Sequence, residues 1–130
     1  MKSILILLVT LLLSITSCKS KQDDSTKTDT TQEVTKAKIT FVELGSVNCI
    51  PCKQMQPVMK SIEEKYKGQV KVVFHDVWKD KAPAQKYGIQ LIPTQVFLDE
   101  NGKEFFRHEG FFPEEDIDKL LQAQGLKADS

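Results

Sequence analysis

Two cysteines separated by two residues are the side chains of this sequence best suited to chemistry. They are Cys49 and Cys52, within the segment SVNCIPCKQM at residues 46–55. A pair at this spacing can exchange electrons with another disulfide, contribute ligands to a metal, or form a disulfide that only stabilises a loop. The residues around the pair help to separate these three chemistries, because the reactivity of a cysteine depends on the pKa of its thiol.

The elements predicted on either side of the pair favour a reactive thiol. Residues 38–45, KITFVELG, have the β-branched and aromatic composition of a buried strand, and from Cys52 to Tyr66 apolar residues recur at helical spacing. The pair therefore lies at a helix N-terminus, where free backbone N–H groups and the helix dipole favour a thiolate at the first cysteine. We predict that Cys49 is the more exposed nucleophile and that Cys52, one turn inward, resolves the mixed disulfide.

The rest of the sequence predicts an α/β domain with the element order β-α-β-α-β-β-α. An Asn-Gly step at residues 101–102 predicts a hairpin. Gly88 and Gly125 are expected to end helices, and Pro57 is expected to kink the first one. The predicted elements, in chain order, are strand 38–45, helix 52–66, strand 70–77, helix 81–88, strand 94–99, strand 104–108 and helix 113–125.

Two separated segments resemble the signatures of the thioredoxin family. The first is VNCIPCKQMQP at residues 47–57, with a proline between the cysteines, a lysine after the second and another proline five residues beyond it. The second is KYGIQLIPTQVFLDENGK at residues 86–103. The resemblance spans residues 38–124. It implies an α/β, thioredoxin-like fold with a central mixed sheet of about four strands, in the order 2-1-3-4, flanked by about three helices.

The resemblance also implies roles for residues outside the cysteine pair. It implies a cis bond between Ile92 and Pro93 that faces the cysteines. It puts Glu43 in the place of a buried acid that helps to move protons to Cys52. The residues expected to border the substrate groove are Asn48, Ile50, Pro51, Ile92, Thr94, Gly110, Phe111 and Trp78.

This sequence departs from the usual thioredoxin pattern before the first cysteine. The tryptophan that usually precedes that cysteine is replaced by Asn48, and the aromatic residue three positions earlier is replaced by Gly45. A lysine that often lies beside the buried acid corresponds to Phe74. Because a gap in a core costs about 24 cal/mol per Å³, we predict that Trp78 leans over Gly45 and covers the edge of the active site. The alternative is a tryptophan exposed on a loop.

The sequence supports the other two chemistries of the cysteine pair less well. A disulfide that closes a two-residue loop restricts the unfolded chain very little. A zinc site needs about four ligands, and the two histidines, His75 and His108, lie in two different predicted strands. Met55 and Met59 could add soft ligands, although packing in the core or groove accounts for them. We predict no metal and no cofactor beyond the dithiol.

We predict a thiol:disulfide oxidoreductase that reduces protein disulfides. Pro51 between the cysteines and Ile92 before Pro93 resemble the reducing members of the family. Thioredoxin itself, the reference example for this chemistry, has a potential of about −270 mV, compared with about −120 mV for a strong oxidant of the same fold. The alternatives are a disulfide oxidase or isomerase of the same fold, and a copper- or zinc-binding chaperone that uses the same cysteines.

The N-terminal residues predict export and attachment to a lipid. Residues 1–17 contain Lys2 and then the apolar run ILILLVTLLL, about half of the roughly 20 residues that span a bilayer, and we predict a lipoprotein signal peptide. The segment ITSC, which ends at Cys18, resembles the bacterial lipobox, so Cys18 is the predicted lipidation site; the alternative is an ordinary cleavage site. Lipidation would leave Cys49 and Cys52 as disulfide partners. We expect an anchor on a bacterial membrane, facing the periplasm or the cell exterior.

Composition divides the mature chain into a tether, one domain and a tail. Residues 18–37 combine the lipidated cysteine with a polar stretch that is too poor in apolar residues to fold. Residues 38–126 form the predicted thioredoxin-like domain, and residues 127–130 form a C-terminal tail. Since the polar stretch occupies the place of the family's first strand and helix, we expect a reduced version of the fold.

The predicted partners follow from the charge, the dithiol and the lipid. Eighteen basic and eighteen acidic residues cancel, which indicates no nucleic acid partner. We expect a monomer that binds protein disulfide or dithiol substrates and contacts the membrane through the lipid on Cys18. A transmembrane thiol carrier would supply electrons, and cytochrome c maturation or disulfide repair would use them.

Overall fold

Seven secondary-structure elements make up the part of the chain that the structure describes. The structure is a computed structural model and describes residues 36–129. The predicted signal peptide, Cys18 and nearly all of the predicted tether lie outside the described residues. The elements follow the predicted order: β1 Ile39–Gly45, α1 Ile50–Lys65, β2 Val70–Asp76, α2 Ala82–Tyr87, β3 Thr94–Leu98, β4 Glu104–Glu109 and α3 Glu114–Ala123. Between residues 36 and 129, no helix has both the length and the apolar character needed to cross a membrane.

The four strands form one mixed sheet with β1 and β3 in its interior. The strand order is β2-β1-β3-β4, which confirms the predicted order 2-1-3-4. β1 is parallel to β2 and antiparallel to β3, and β4 is antiparallel to β3. The parallel pair needs a crossover connection, which α1 supplies, whereas a tight turn at residues 99–103 joins β3 to β4.

The sheet has a buried core on each face, and the cysteine pair belongs to the face that carries α1 and α3. On this face Phe41 stacks on Phe97, with ring centroids 4.7 Å apart. Buried residues of the two helices, including Ile62 and Leu121, complete this core, and a smaller cluster covers the other face. Side chains alternate along a strand, so Glu43 points to the same face as Phe41. The larger core therefore contains an acidic residue at the end of β1 that leads to the cysteines.

α1 begins two residues before the predicted start. Cys49 is its N-cap, Pro51 lies in its first turn, and the helix runs from Ile50 to Lys65. Proline suits this position because an N–H in the first turn has no partner within the helix. Pro57 lies inside α1 without ending it. Both cysteines are thus held at the helix N-terminus, Cys49 at the cap and Cys52 within the first turn.

Candidate active site

Cys49 and Cys52 form a disulfide at the N-terminus of α1. The Cys49 sulfur also accepts a hydrogen bond from the backbone N–H of Cys52, with the nitrogen 3.3 Å from Sγ. This N–H is one of the groups that a helix leaves without an intrahelical partner. On reduction of the disulfide, the same N–H and the helix dipole would stabilise negative charge on the Cys49 sulfur.

The two cysteines differ in exposure. Cys49 is 8% exposed and Cys52 is 0% exposed, which confirms the predicted order. The residues beside Cys49 are open to solvent, and Ile50 is 75% exposed. Asn48 and Pro51 are exposed as well. A second molecule can therefore approach the sulfur of Cys49 more directly than that of Cys52.

The prediction that Trp78 covers Gly45 is wrong. Trp78 is 60% exposed. A Cβ atom added to Gly45 would lie 3.2 Å from Cβ and Sγ of Cys52 and 3.4 Å from Cε2 of Phe74, so Gly45 borders filled space rather than a gap. Trp78 lies just beyond β2, where its backbone N–H donates to Oδ1 of Asp76 at 3.1 Å. The glycine permits the close approach of Cys52, and no second ring is needed there.

Glu43 is fully buried in the interior strand β1, two residues before Gly45. Its neighbours in register are Phe74 on β2 and Gln95 on β3. Neither carboxyl oxygen has a hydrogen-bond partner among the described residues. Burial raises the pKa of Glu43 to about 8, and the polar amide of Gln95 lowers it to a smaller extent. The Gln95 amide is a polar neighbour of the carboxyl but makes no hydrogen bond to it. At neutral pH the Glu43 carboxyl is largely protonated.

The segment around Pro93 is tied to the glycine segment after β4. The Ile92–Pro93 peptide bond is cis, as predicted. The backbone N–H of Gly110 donates to the carbonyl oxygen of Pro93 at 2.8 Å. The hydroxyl of Thr94 donates to the carbonyl oxygen of Leu91 at 2.7 Å, and Pro93 and Thr94 are both buried. Two stretches that were predicted separately as groove residues are therefore joined by backbone hydrogen bonding.

The exposed large apolar side chains of the described chain all occur in the segments predicted to form the site. They are Val47, Ile50, Trp78, Leu91 and Phe111. Trp78, Ile50 and Phe111 were predicted as groove residues, whereas Val47 and Leu91 were not. Both lie inside the two segments that resemble the family's signatures, residues 47–57 and 86–103, and that position was the signal available. Exposed apolar side chains in these segments are suited to contact another protein.

Gln95 is a further residue of the site that the sequence analysis missed. It lies in β3, in a run of otherwise small or apolar residues, and it is fully buried. A long polar side chain in a buried strand must find hydrogen-bond partners inside the protein. That requirement was the signal that could have identified it.

The two histidines considered as zinc ligands lie on the two edge strands of the sheet, His75 on β2 and His108 on β4. Within residues 36–129, no group of three or more histidine, cysteine, aspartate or glutamate side chains is arranged to hold a metal ion. Met55 is buried, and its sulfur accepts a hydrogen bond from the backbone N–H of Phe112 at 3.3 Å. Met59 is buried in the same core. Both methionines therefore have packing roles.

Comparison with known proteins places the fold and the cysteine pair in one family. Residues 25–125 match the sequence model of a protein family that is described as a thioredoxin-like domain. A thioredoxin from Bacillus subtilis is 33% identical over 73 residues, which cover 56% of this chain and 69% of that protein. The chloroplastic thioredoxin Y of Oryza sativa is 29% identical over 83 residues, which cover 64% of this chain and 49% of that protein. The chain belongs to the thioredoxin-like family.

Solved structures support the same assignment. A thioredoxin from Nicotiana alata has a TM-score of 0.58 and 31% identity, with 66% of this chain and 72% of that chain covered. A mutant thioredoxin from Halobacterium salinarum has a TM-score of 0.61 and 22% identity, and the match covers 69% of this chain and 77% of that chain. At this identity the likeness supports the fold alone. With its two cysteines at the N-terminus of α1, the chain is a thiol:disulfide oxidoreductase.

Proposed function

We propose that this oxidoreductase reduces disulfides of exported proteins while it is anchored to a membrane. The Cys49 thiolate attacks one sulfur of a substrate disulfide, forms a mixed disulfide and releases the first substrate thiolate. The Cys52 thiolate then attacks the Cys49 sulfur, releases the second substrate thiolate and leaves the Cys49–Cys52 disulfide. Two electrons pass from the pair to the substrate in each cycle.

The difference in position between the two cysteines is the observation that carries this assignment. Cys49 caps α1 and is the more exposed of the two, whereas Cys52 is fully buried. The attacking sulfur must meet a foreign protein, but the resolving sulfur needs to reach only its neighbour. The described structure therefore suits Cys49 as nucleophile and Cys52 as resolving thiol.

We propose that Glu43 exchanges protons with Cys52 during resolution. Glu43 lies two residues before Gly45 on the same face of β1, and a Cβ atom added at Gly45 would lie 3.2 Å from the Cys52 sulfur. Because burial raises the pKa of Glu43 to about 8, the acid holds a proton at neutral pH and gives it up at mildly alkaline pH. A group with a pKa close to the working pH is effective in proton transfer.

The direction of electron flow is proposed from the limited stabilisation of the Cys49 sulfur. A strong oxidant of this fold needs a strongly stabilised reduced form. Among the described residues, the Cys49 sulfur receives one hydrogen bond, from the Cys52 N–H. Equilibration of the pair with a glutathione redox buffer is expected to give a potential closer to about −270 mV than to about −120 mV. A value near the second figure would make the chain an oxidase.

The cellular setting is proposed from the sequence alone. Lipidation of Cys18 would hold the domain near a bacterial membrane, outside the cytoplasm, where a transmembrane thiol carrier would supply electrons. Cytochrome c maturation and disulfide repair would be suitable outlets. Metabolic labelling with radioactive palmitate should label the wild-type chain and Cys49→Ser, whereas Cys18→Ser should carry no label. Labelling of Cys18→Ser, or no labelling of the wild type, would contradict the lipid anchor on Cys18.

A trapping experiment tests the proposed reaction. Cys52→Ser should accumulate mixed disulfides between Cys49 and substrate proteins, because the resolving thiol is absent. The matched control is Cys49→Ser, which should trap little. Diagonal gel electrophoresis followed by mass spectrometry would identify the linked proteins and their location. Trapping by Cys49→Ser in preference to Cys52→Ser would reverse the proposed roles.

A further inference from the structure

A row of side chains crosses the sheet beneath the active site. Phe74, Glu43, Gln95 and His108 occupy one register line across β2, β1, β3 and β4. The aromatic contact between Phe41 and Phe97, each two residues from this row, shows that β1 and β3 direct these positions to the same face. The His108 ring stacks on the buried Phe112, with centroids 4.2 Å apart, so the row ends at the edge of the same core.

The Gln95 side chain connects this row to the predicted substrate groove. It is fully buried, and its Nε2 donates to the carbonyl oxygen of Gly110 at 3.1 Å. Gly110 in turn donates its N–H to the carbonyl oxygen of Pro93 at 2.8 Å. The Gln95 Oε1 atom has no hydrogen-bond partner among the described residues. The amide nitrogen of Gln95 is therefore held by the backbone at Gly110, whereas the amide oxygen can still accept a hydrogen bond.

Few groups can influence the Glu43 carboxyl on this face. The titratable groups on this face of the neighbouring strands, or buried at the start of α1, are Asp76 on β2, His108 on β4, and Cys49 and Cys52. Asp76 lies at the end of its strand and accepts hydrogen bonds from the Val47 and Trp78 backbones. No charged side chain in the described part of the chain contributes to the pKa shift of Glu43, which reflects burial and the Gln95 amide. Gln95 is thus the polar side chain that affects the pKa of Glu43.

We propose that Gln95 is a positioning residue for Glu43: its buried amide lies opposite Glu43 in the register of β1 and β3 and links ionisation of the carboxyl to the Gly110 segment of the groove. The second N–H of the amide is free to stabilise the carboxylate when Glu43 releases its proton, since Nε2 carries two hydrogens and Gly110 takes one. This inference rests on the proposed proton exchange by Glu43.

An NMR titration of the oxidised full chain, with the glutamate carboxyl carbons labelled, tests the link directly. Loss of a signal in Glu43→Gln identifies Glu43, and the wild-type signal should titrate near pH 8. Gln95→Met retains length but not hydrogen bonding, and it should raise the midpoint by about one pH unit. The matched control is His108→Gln, which keeps Gln95 and should leave the midpoint in place.

An unchanged midpoint in Gln95→Met would overturn the proposal. If that variant does not fold, Gln95→Asn provides the same test, because its shorter amide should lose the contact and also raise the midpoint. An unchanged midpoint in the folded Asn variant would overturn the proposal equally.

A comparison of pH–rate profiles separates this inference from the proposed role of Glu43. The assay is reduction of a peptide disulfide by the reduced chain. Gln95→Met should shift the profile when Glu43 is present and should have no further effect in a Glu43→Gln background. An equal shift in both backgrounds would overturn the role of Gln95. A profile unaffected by Glu43→Gln itself would instead refute the proton exchange on which the inference rests.

Discussion

At the scale of single residues, burial of Glu43 makes the stability of the domain depend on pH. The pKa of this carboxyl is about 8 in the folded chain, compared with an ordinary value of 4.5. Between these values the folded state holds a proton that the unfolded state has released. The contribution to stability is therefore fully present below pH 4.5 and is lost as the pH rises to about 8.

Replacement of Glu43 by Gln should remove this dependence. Between pH 5 and pH 8 the free energy of unfolding of the wild type should fall by on the order of 3 kcal/mol more than that of Glu43→Gln. Urea unfolding of both oxidised proteins at the two pH values provides the measurement. A difference between the two proteins that does not change with pH would show that Glu43 is not protonated in the folded chain at neutral pH.

Gly45 and Trp78 provide a matched pair of substitutions. Gly45→Ala would place a Cβ atom 3.2 Å from the Cys52 side chain, and we expect it to destabilise the oxidised domain by about 1–3 kcal/mol. Trp78→Ala removes a largely exposed ring and should change stability by less than about 0.5 kcal/mol. Thermal or urea unfolding would measure both. A larger loss for Trp78→Ala would restore the idea that this ring fills the space at Gly45.

The residues of the site were predictable where local sequence determines their chemistry. Cys49 and Cys52 could be ordered because a cysteine at a helix cap is more open than one in the first turn. Gln95 was missed because its hydrogen-bond partner, the Gly110 carbonyl, and its neighbour in register, Glu43, are distant in sequence. The prediction for Trp78 failed because composition could not show that Cys52 and Phe74 already occupy the space beside Gly45.

At the scale of elements, a small ionic cluster joins α1 to α3. The Nζ atom of Lys65 lies 2.6 Å from Oε1 of Glu114 and 2.7 Å from Oδ2 of Asp118. Ser61 donates to the same Glu114 oxygen at 2.7 Å. The cluster holds the C-terminal half of α1 against α3, and α1 carries the cysteines at its other end.

Loss of the cluster should weaken the domain moderately. Lys65→Met keeps the aliphatic stem, and we expect it to lower the free energy of unfolding by about 1 kcal/mol, because solvent screens these partly exposed charges. The matched control is Lys60→Met, since the exposed Lys60 has its Nζ atom 3.9 Å from Oε1 of the exposed Glu64. That control should stay within about 0.5 kcal/mol of wild type. Equal effects in urea unfolding would argue against a structural role for the cluster.

Element types and order were predictable, but the start of α1 was not. The start of α1 was placed at Cys52 because the periodic apolar positions begin there, whereas the helix begins at Ile50. Ile50 and Pro51 are exposed and give no periodic signal, so the buried face alone could not locate them. The strand order came from the resemblance to thioredoxins, because pairing between distant strands is not visible in local patterns.

At the scale of the whole molecule, the described domain explains the redox chemistry, and the preceding sequence supplies the proposed location. The fold pairs β1, which carries Glu43 and leads to the cysteine pair, with β3, which follows the Pro93 segment, and a backbone hydrogen bond joins that segment to Gly110. Spacing within each motif predicted these stretches, but only the sheet register shows that Gln95 lies between Glu43 and His108. The signal peptide and the lipid on Cys18 remain predictions.

The central claim is the division of labour between the two cysteines, and competitive alkylation tests it most directly. The reduced chain is exposed briefly to limiting iodoacetamide at neutral pH, and the modified peptides are quantified by mass spectrometry. Cys49 should be modified first and by a wide margin, because it caps the helix and is the more exposed of the two residues. Equal modification of the two cysteines, or faster modification of Cys52, would contradict the account.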